Sequence, residues 1–330
     1  MRSFLVIRRD NIGDLVCTTP LFAVLKTRFP DARLCALVNT YNRAVLDGNP
    51  LIDAVYALPS HEEKRPGQNL RARLAENMAA LSRLRKERFE CVIQASRSTR
   101  RKDKVLGYLA GCRHYLTRCH DPDTGHEVVR TLSVLNGIGL YPQPAAPCVY
   151  PDPTAVARTR ALLERSPAGP APTAIHLSAR SPEKRWPLER YLEFLQKAVA
   201  LGGRFVVLWA PGPKSQPGHP GDDDRAATLS KELVGLPVTF FRTDMVADLM
   251  AVLAASSNLI ACDGGHCHLA AALRVPVLGL YCNRFINDWR PWGGVHRIVG
   301  AASVPEITVD KVLGAFLELP RAVGDQGIGY

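Results

Sequence analysis

Short apolar segments alternate with longer helical patterns along most of this 330-residue chain, and this alternation restricts the fold more than any other feature. Residues 4–7, 33–38 and 90–95 have the length and composition of buried strands. Helical patterns separate them, including a basic amphipathic pattern over residues 69–87. Strands that alternate with helices form parallel sheets covered by helices. The sequence therefore predicts an α/β fold.

A proline-rich stretch divides the chain into two halves of similar size. Residues 142–172 contain eight prolines, interrupted by a helical pattern over residues 156–164, and such a density of proline indicates a linker. Strand patterns then resume at residues 173–177, 204–210, 238–241, 258–262 and 277–282. We therefore predict two α/β domains, residues 1–150 and 151–330. Ligands of such sheets bind at the carboxyl ends of the strands, which predicts a site in the cleft between the domains.

Composition narrows the class of protein and of partner. Lys and Arg outnumber Asp and Glu by 42 to 31, and this excess favours anionic partners. Nucleic acid is disfavoured, because no basic motif with interleaved aromatic residues is present. Nine cysteines at irregular spacing do not suggest a disulfide framework, so a reducing compartment is expected. The apolar segment at residues 4–7 is too short for a signal peptide, and no uncharged run approaches the ~20 residues of a membrane helix. These features predict a cytoplasmic protein.

The loop after the first strand, "RRDNIGDLVCTTP", offers one candidate acid. Gly13 would permit a tight turn, and Asp14 stands where the next helix begins. Asp14 is either an N-cap that binds free backbone N–H groups or a carboxylate that acts as a general base. A helix N-terminus favours the charged carboxylate and so weakens it as a base, which closeness to the substrate must offset. Pro20 predicts a kink or a broken first turn in the helical pattern that runs to Arg28.

The loop after the strand pattern at residues 173–177, "HLSARSPEKRWPLERY", combines hydroxyls with positive charge. Ser178 offers a hydroxyl, and Lys184 and Arg185 offer charge just before a helix that Pro187 begins. Such a loop is either a solvated basic segment or a place that holds a phosphate.

The stretch "DGGHCHLAAAL" follows the strand pattern at residues 258–262. Asp263, Gly264 and Gly265 are predicted to form the turn into a helix, where glycines let backbone N–H groups approach an anion. His268 falls in the first helical turn and is either structural or a donor to a phosphate. The sequence does not distinguish between these two roles of His268.

Metal sites are disfavoured at two histidine- and cysteine-containing segments. Adjacent residues such as His266, Cys267 and His268 cannot easily converge on one ion. A second set lacks paired C-x-x-C spacing; its members are Cys112, His114, Cys119, His120 and His126. No cofactor is predicted.

Together the three loops resemble glycosyltransferase family 9, the lipopolysaccharide heptosyltransferase family. The segment "VIRRDNIGDLVCTTPLFAVLKTRFPDARLCALV" resembles the N-terminal signature of that family. "IHLSARSPEKRWPLERY" resembles its donor-phosphate loop, and "LIACDGGHCHLAAALRVPVLGLYC" resembles its strand, D-x-G-x-x-H and helix element. The three motifs occur in the expected order and span both halves of the chain.

The resemblance implies a GT-B architecture, in which two Rossmann-like parallel-sheet domains face a cleft, with an N-terminal acceptor domain and a C-terminal donor domain. It implies an inverting, metal-independent transfer of a sugar, usually from ADP-heptose, to an anionic glycolipid, the lipopolysaccharide core. It leaves open a peripheral contact with the inner face of the inner membrane. By position, Asp14 matches the base and Lys184 the lysine that contacts the donor phosphates. The remaining donor residues so matched are Asp263, Gly265 and His268, with Ser178 and Gly264 beside them.

Two segments depart from the family pattern. Gly264 stands where the family usually has Thr or Ser, and "ECVIQASRSTRR" differs from an Asp-Leu-Gln-Gly-like segment. These departures motivate two alternatives: a member that uses another nucleotide sugar for capsule or O-antigen, and a nucleotide-binding protein without catalysis.

Charged segments outside these motifs have less specific interpretations. Residues 97–104 and 83–88 are basic and either contact acceptor anions or the membrane, or form a solvated face. From the first of them, Arg97 and Arg100 are candidate acceptor contacts, together with Gly13. The acids Asp222–Asp224 lie in a Pro- and Gly-rich segment and are interpreted as solvated.

Overall fold

The computed structural model describes residues 1–59, 78–79, 82–96, 112–118, 125–164, 169–213 and 221–321. The chain divides into two compact units, Met1–Tyr150 (unit 1) and Pro151–Tyr330 (unit 2). Every helix within the described residues is too short or too polar to span a membrane.

Unit 1 contains a five-stranded parallel sheet with the order β3-β2-β1-β4-β5. Its strands are β1 (Ser3–Ile7), β2 (Arg33–Asn39), β3 (Ala54–Leu58), β4 (Cys91–Gln94) and β5 (His114–Thr117). Its helices are α1 (Ile12–Val16), α2 (Thr19–Arg28) and α3 (Glu127–Leu132), and residues 78–79 and 82–87 are also helical. The central strand β1 is buried from Phe4 to Ile7, as the apolar run predicted.

Unit 2 contains a six-stranded sheet with the order β11-β10-β9-β6-β7-β8, again parallel. Its strands are β6 (Thr173–His176), β7 (Phe205–Trp209), β8 (Val238–Arg242), β9 (Asn258–Cys262), β10 (Val277–Cys282) and β11 (His296–Ala301). Its helices are α4 (Pro153–Glu164), α5 (Leu188–Ala200), α6 (Asp223–Glu232), α7 (Val246–Ala254), α8 (Gly265–Ala272), α9 (Asn283–Trp289) and α10 (Val309–Leu317).

Aromatic side chains fill the core of unit 2 between the sheet and two helices. Phe194 of α5 packs edge-to-face against Phe205 of β7 and Phe316 of α10, with ring centroids 5.9 and 5.7 Å apart. Trp186 is fully buried beside them and donates its indole N–H to the Ile307 carbonyl at 2.9 Å. These contacts fix the chain just after Lys184 to the body of the unit, which positions the preceding loop.

The helical pattern after β1 is divided into two helices. α1 ends at Val16, and α2 begins at Thr19 with Pro20 in its first turn. Proline is favourable there because the first backbone N–H groups of a helix have no partner within it. The break predicted around Pro20 is therefore present, and it falls just before the proline.

Candidate functional site

Two loops of unit 2 meet where the neighbouring strands β6 and β9 end. These strands pair in parallel, so their carboxyl ends share one edge of the sheet. Lys184 comes from the loop after β6, and its Nζ lies 2.5 Å from Oδ2 of Asp263, the residue that follows β9. The ammonium also lies 4.1 Å from the centre of the Phe285 ring. Lys184 is thus held at the sheet edge by an acid and an aromatic face, while its side chain remains 22% exposed.

Helix α8 begins beside this ion pair. Gly264 is its N-cap and Gly265 its first residue, so the turn consists of Asp263 and Gly264, and the prediction that Gly265 belongs to it is wrong. The first backbone N–H groups of a helix lack partners within it and attract anions. His268 is the fourth residue of α8 and is 3% exposed. The centre of its ring lies 6.1 Å from that of Trp289. A cation and a helix N-terminus therefore adjoin at one edge.

The hydroxyl of Ser178 has a structural contact in the loop after β6. Its Oγ accepts a hydrogen bond from the backbone N–H of Ala210, 2.9 Å away, at the end of β7. This bond ties the ends of β6 and β7 together. Donor binding by Ser178 stays a prediction.

The interpretation of Asp222–Asp224 as solvated acids is wrong for Asp222, and Asp223 is half-buried with structural hydrogen bonds. Asp222 is 2% exposed and receives two hydrogen bonds from Arg185, at 2.8 and 3.1 Å. Asp223 accepts from the Trp209 indole at 2.8 Å and from Gly212 N at 2.9 Å, and these bonds lower the pKa of its carboxyl. Only Asp224 is exposed. Asp222 anchors Arg185, next to Lys184, because a partly buried guanidinium is stabilised by a counter-charge.

Two histidines stack beneath the turn into α8. The rings of His176 and His266 are 4.1 Å apart and inclined by 17°. Nε2 of His266 lies 2.7 Å from the carbonyl oxygen of Cys262, so this nitrogen carries the proton. Burial lowers the pKa of both imidazoles, and their mutual proximity lowers that of His176 further. Both are therefore neutral at physiological pH.

The imidazole of His266 occupies the space beside Gly264 that a larger residue would need. A Cβ atom on Gly264 would lie 2.5 Å from Cε1 of His266 and 3.0 Å from its Nε2. The φ of Gly264 is −179°, an extended conformation that any residue adopts. Glycine is therefore required here by the histidine ring and not by the backbone.

We predict that Gly264→Thr destabilises the protein by about 1–2 kcal/mol, since the stacked imidazole cannot yield without losing its contacts. The second substitution His266→Ala in the same chain is expected to restore most of this loss. Urea unfolding of both variants measures it. Gly314→Thr is the matched control, because a Cβ on this helical glycine meets nothing within 4 Å. A Gly264→Thr protein as stable as the wild type contradicts the steric argument.

In unit 1, Asp14 lies in the first turn of α1 and is not its N-cap. Asn11 is the N-cap. Oδ2 of Asp14 accepts hydrogen bonds from the backbone N of Asn11 at 3.2 Å and from Nδ2 of Asn11 at 3.0 Å. Oδ1 of Asp14 accepts from Nη2 of Arg8 at 2.7 Å. The carboxylate is held at both oxygens and is 14% exposed. The prediction of an N-cap acid is wrong, because the third helical position lets a carboxylate reach back to the N-cap backbone.

The other predicted acceptor residues have different outcomes. Gly13 is a buried residue inside α1 and has no positive φ, so the prediction of a tight turn there is wrong. The chain enters the helix through the extended conformation of Asn11, which needs no glycine. Arg97 and Arg100 lie outside the described residues. Arg83 and Arg85 are exposed, as expected of a solvated face.

Among the described residues, no group of three or more His, Cys, Asp or Glu side chains could hold a metal ion. Cys267 directs its Sγ to the Cys262 carbonyl, 3.3 Å away, and His126 accepts from the backbone N of Val128 as the N-cap of α3. Cys119 and His120 lie outside the described residues.

Sequence reasoning missed the partners that hold the candidate residues. Arg8 binds Asp14 and is itself bound by Glu127, which is far away in the chain, and His176 stacks on His266 beside the turn at Gly264. An arginine directly after an apolar strand was a signal for Arg8, because a buried arginine needs carboxylate partners. Nothing local distinguishes Glu127 from an ordinary acid in the first turn of a helix.

Comparison with known proteins identifies relatives along most of the chain. Residues 82–312 match the family described as glycosyltransferase family 9 (heptosyltransferase). Lipopolysaccharide heptosyltransferase 3 of Escherichia coli is 24% identical over 298 residues, which cover 85% of this chain and 83% of the relative.

Two solved structures are similar across both units. A family 9 glycosyl transferase from Veillonella parvula has a TM-score of 0.79 at 16% identity and covers 96% of both chains. The E. coli heptosyltransferase WaaC, solved with ADP, has a TM-score of 0.76 at 17% identity and covers 96% of this chain and 99% of its own. This likeness and the two parallel sheets confirm the predicted α/β fold of the GT-B class.

Proposed function

Because this chain belongs to glycosyltransferase family 9, we propose that it transfers a heptose or a related sugar from ADP-heptose to a lipopolysaccharide core acceptor. The observation that carries the proposal is the pairing of Lys184 with Asp263 beside the start of α8. A cation and a helix N-terminus without a side-chain cap at one sheet edge suit the diphosphate of a sugar nucleotide. The relatives support the sugar and the nucleotide, since one is a lipopolysaccharide heptosyltransferase and another was solved with ADP.

The reaction is a single displacement at the anomeric carbon, which inverts its configuration. Asp14 takes the proton of the acceptor hydroxyl while the hydroxyl oxygen of the acceptor forms the new bond to the anomeric carbon. The bond from the carbon to the diphosphate breaks, and its electron pair leaves with ADP. Lys184 and the N-terminus of α8 stabilise the charge that develops on ADP, so no metal is needed. Unit 1 accordingly serves the acceptor and unit 2 the donor.

The chemistry of the two substrates defines where the protein works. The proposed donor, ADP-heptose, is taken as an intracellular nucleotide sugar, and the proposed location of the protein is therefore the cytoplasm. Its net charge of +11 suits an anionic glycolipid acceptor and a peripheral contact with the inner face of the inner membrane.

A panel of ADP-, UDP- and GDP-sugars with a truncated lipopolysaccharide core tests the proposal. We expect ADP-heptose to give the highest kcat/KM, with addition of a single heptose detected by mass spectrometry. Excess EDTA should leave the rate unchanged, and NMR of the product should show the inverted anomeric configuration. Preference for a UDP- or GDP-sugar would support the capsule or O-antigen alternative. Tight ADP binding without transfer to any acceptor would support a protein without catalysis.

A further inference from the structure

The Asp14 carboxylate belongs to a buried group of charges in unit 1. Arg8 follows β1 directly and is 1% exposed, although it carries a full positive charge. Its Nη2 donates to Oδ1 of Asp14 at 2.7 Å and to Oε1 of Glu127 at 2.8 Å. Its Nη1 donates to the Ala95 carbonyl at 2.6 Å, and its Nε lies 3.1 Å from Asp10. One nitrogen of Arg8 is thus shared between Asp14 and Glu127.

Glu127 is more deeply enclosed than Asp14. It is the first residue of α3 and is 2% exposed. Besides the bond from Arg8, Oε1 of Glu127 accepts a hydrogen bond from Nη1 of Arg118 at 2.7 Å. The same Nη1 of Arg118 also donates to the Ala95 carbonyl at 3.2 Å. The positive charges of Arg8 and Arg118 lower the pKa of Glu127 against the opposing effect of its burial. Glu127 is therefore ionised and separates two guanidinium groups that would otherwise repel one another.

Stability alone is a poor explanation for this arrangement. Removing several charges from water is costly, and apolar residues of similar volume often fill such a space at least as favourably. The arrangement does provide a fixed geometry, because an arginine that is hydrogen-bonded at both Nη atoms and ion-paired at Nε is restrained to one rotamer. This fixed geometry determines the position of the partly exposed Asp14 carboxylate. Oδ1 of Asp14 accepts a hydrogen bond from Nη2 of Arg8, the nitrogen that also donates to Glu127.

We propose that Glu127 is a positioning residue for the Asp14 carboxylate and acts through the guanidinium of Arg8. The inference rests on the proposed function, in which Asp14 is the base. Without the charge of Glu127, Arg8 and Arg118 repel one another, and Arg8 shifts together with the carboxylate bound to it. Small misplacements of a reacting group lower rates strongly.

The test is a double-mutant cycle on transfer from ADP-heptose to the truncated core. Glu127→Gln is expected to lower kcat about tenfold and to leave the ADP dissociation constant unchanged. In an Asp14→Asn background the same substitution should alter kcat by less than about twofold, since there is no base left to position. A purely structural role for Glu127 would lower the rate by the same factor in both backgrounds.

Glu87→Gln is the matched control. Glu87 also accepts hydrogen bonds from an arginine and a second side chain, Arg33 at 3.0 Å and Tyr56 at 2.7 Å, within the same unit. Arg33 begins β2, at the amino-terminal edge of the sheet. This variant should retain the wild-type kcat in both backgrounds.

Glu127→Asp covers the case in which the glutamine variant does not fold. It keeps the counter-charge of the two arginines but shortens the side chain, so it should fold and still show a reduced kcat that depends on Asp14. Wild-type kcat in either Glu127 variant overturns the inference, as does an equal loss in the Asp14→Asn background. A crystal structure of either variant with Arg8 and Asp14 unmoved overturns it without reference to activity. Full activity of Asp14→Asn alone refutes the base and hence the proposed function.

Discussion

Asp14→Asn is expected to lower kcat for sugar transfer by about 10²- to 10⁴-fold, the usual contribution of a general base. Asparagine has nearly the same shape and can still accept a hydrogen bond from the backbone of Asn11. It cannot take a proton from the acceptor hydroxyl. Arg8 keeps Glu127 as a counter-charge, so the unit should remain folded. The rate is measured with ADP-heptose at saturation, and ADP binding by calorimetry should be unchanged because the proposed donor residues belong to unit 2.

Asp53→Asn controls for the loss of a hydrogen-bonded carboxylate in the same unit. Oδ2 of Asp53 accepts from the backbone N of Leu34 at 2.7 Å, at the start of β2. This variant should transfer sugar at the wild-type rate. If Asp14→Asn keeps more than about a tenth of the wild-type kcat, Asp14 is not the base.

The buried strands of both sheets were predictable because their apolar runs are continuous. Strands β1 and β9 are enclosed on both faces, and the sequence gives each an uninterrupted apolar signal. The missed strands β3, β5 and β11 lie at the sheet edges, as the strand orders show. Their side chains are mostly half-buried, so their sequences include His114, Tyr56 and Arg297 and resemble loops. Pairing with a neighbour, which no local pattern encodes, makes them strands.

The meeting of the loops after β6 and β9 was predictable from the order of strands and loops, since parallel strands bring their following loops to one edge. The contacts between individual side chains were not. Arg8 and Glu127 are 119 residues apart, and Lys184 and Asp263 are 79 apart. Gly264 shows the same limitation at short range. The sequence shows only that Gly264 lacks the hydroxyl of the Thr or Ser in the family pattern. The structure explains the glycine by the adjacent ring of His266, which stacks on the ring of His176.

Lys184→Met is expected to weaken ADP binding by about 10- to 100-fold, equivalent to the loss of one charged hydrogen bond. Methionine keeps an apolar stem against Phe285 but removes the ammonium. The substitution has a second effect, because Asp263 is 8% exposed and loses the cation that now lies 2.5 Å away. Its uncompensated charge then repels the diphosphate. Calorimetric titration with ADP measures the sum of the two effects.

Lys197→Met controls for the loss of a paired lysine in unit 2. Nζ of Lys197 lies 2.8 Å from Glu193 and 3.1 Å from Asp310 on the surface of α5 and α10. Exposed ion pairs of this kind contribute little, so this variant should bind ADP as the wild type does.

The double variant Lys184→Met/Asp263→Asn separates the two effects. Removing both charges abolishes the repulsion by Asp263, so ADP affinity should recover in part relative to Lys184→Met. The remaining deficit is the direct contribution of the ammonium to phosphate binding. Full recovery to wild-type affinity would mean that Lys184 merely neutralises Asp263 and does not contact the donor. Unchanged affinity in Lys184→Met itself would remove both residues from the donor site, and the phosphates would then have to be sought elsewhere in unit 2.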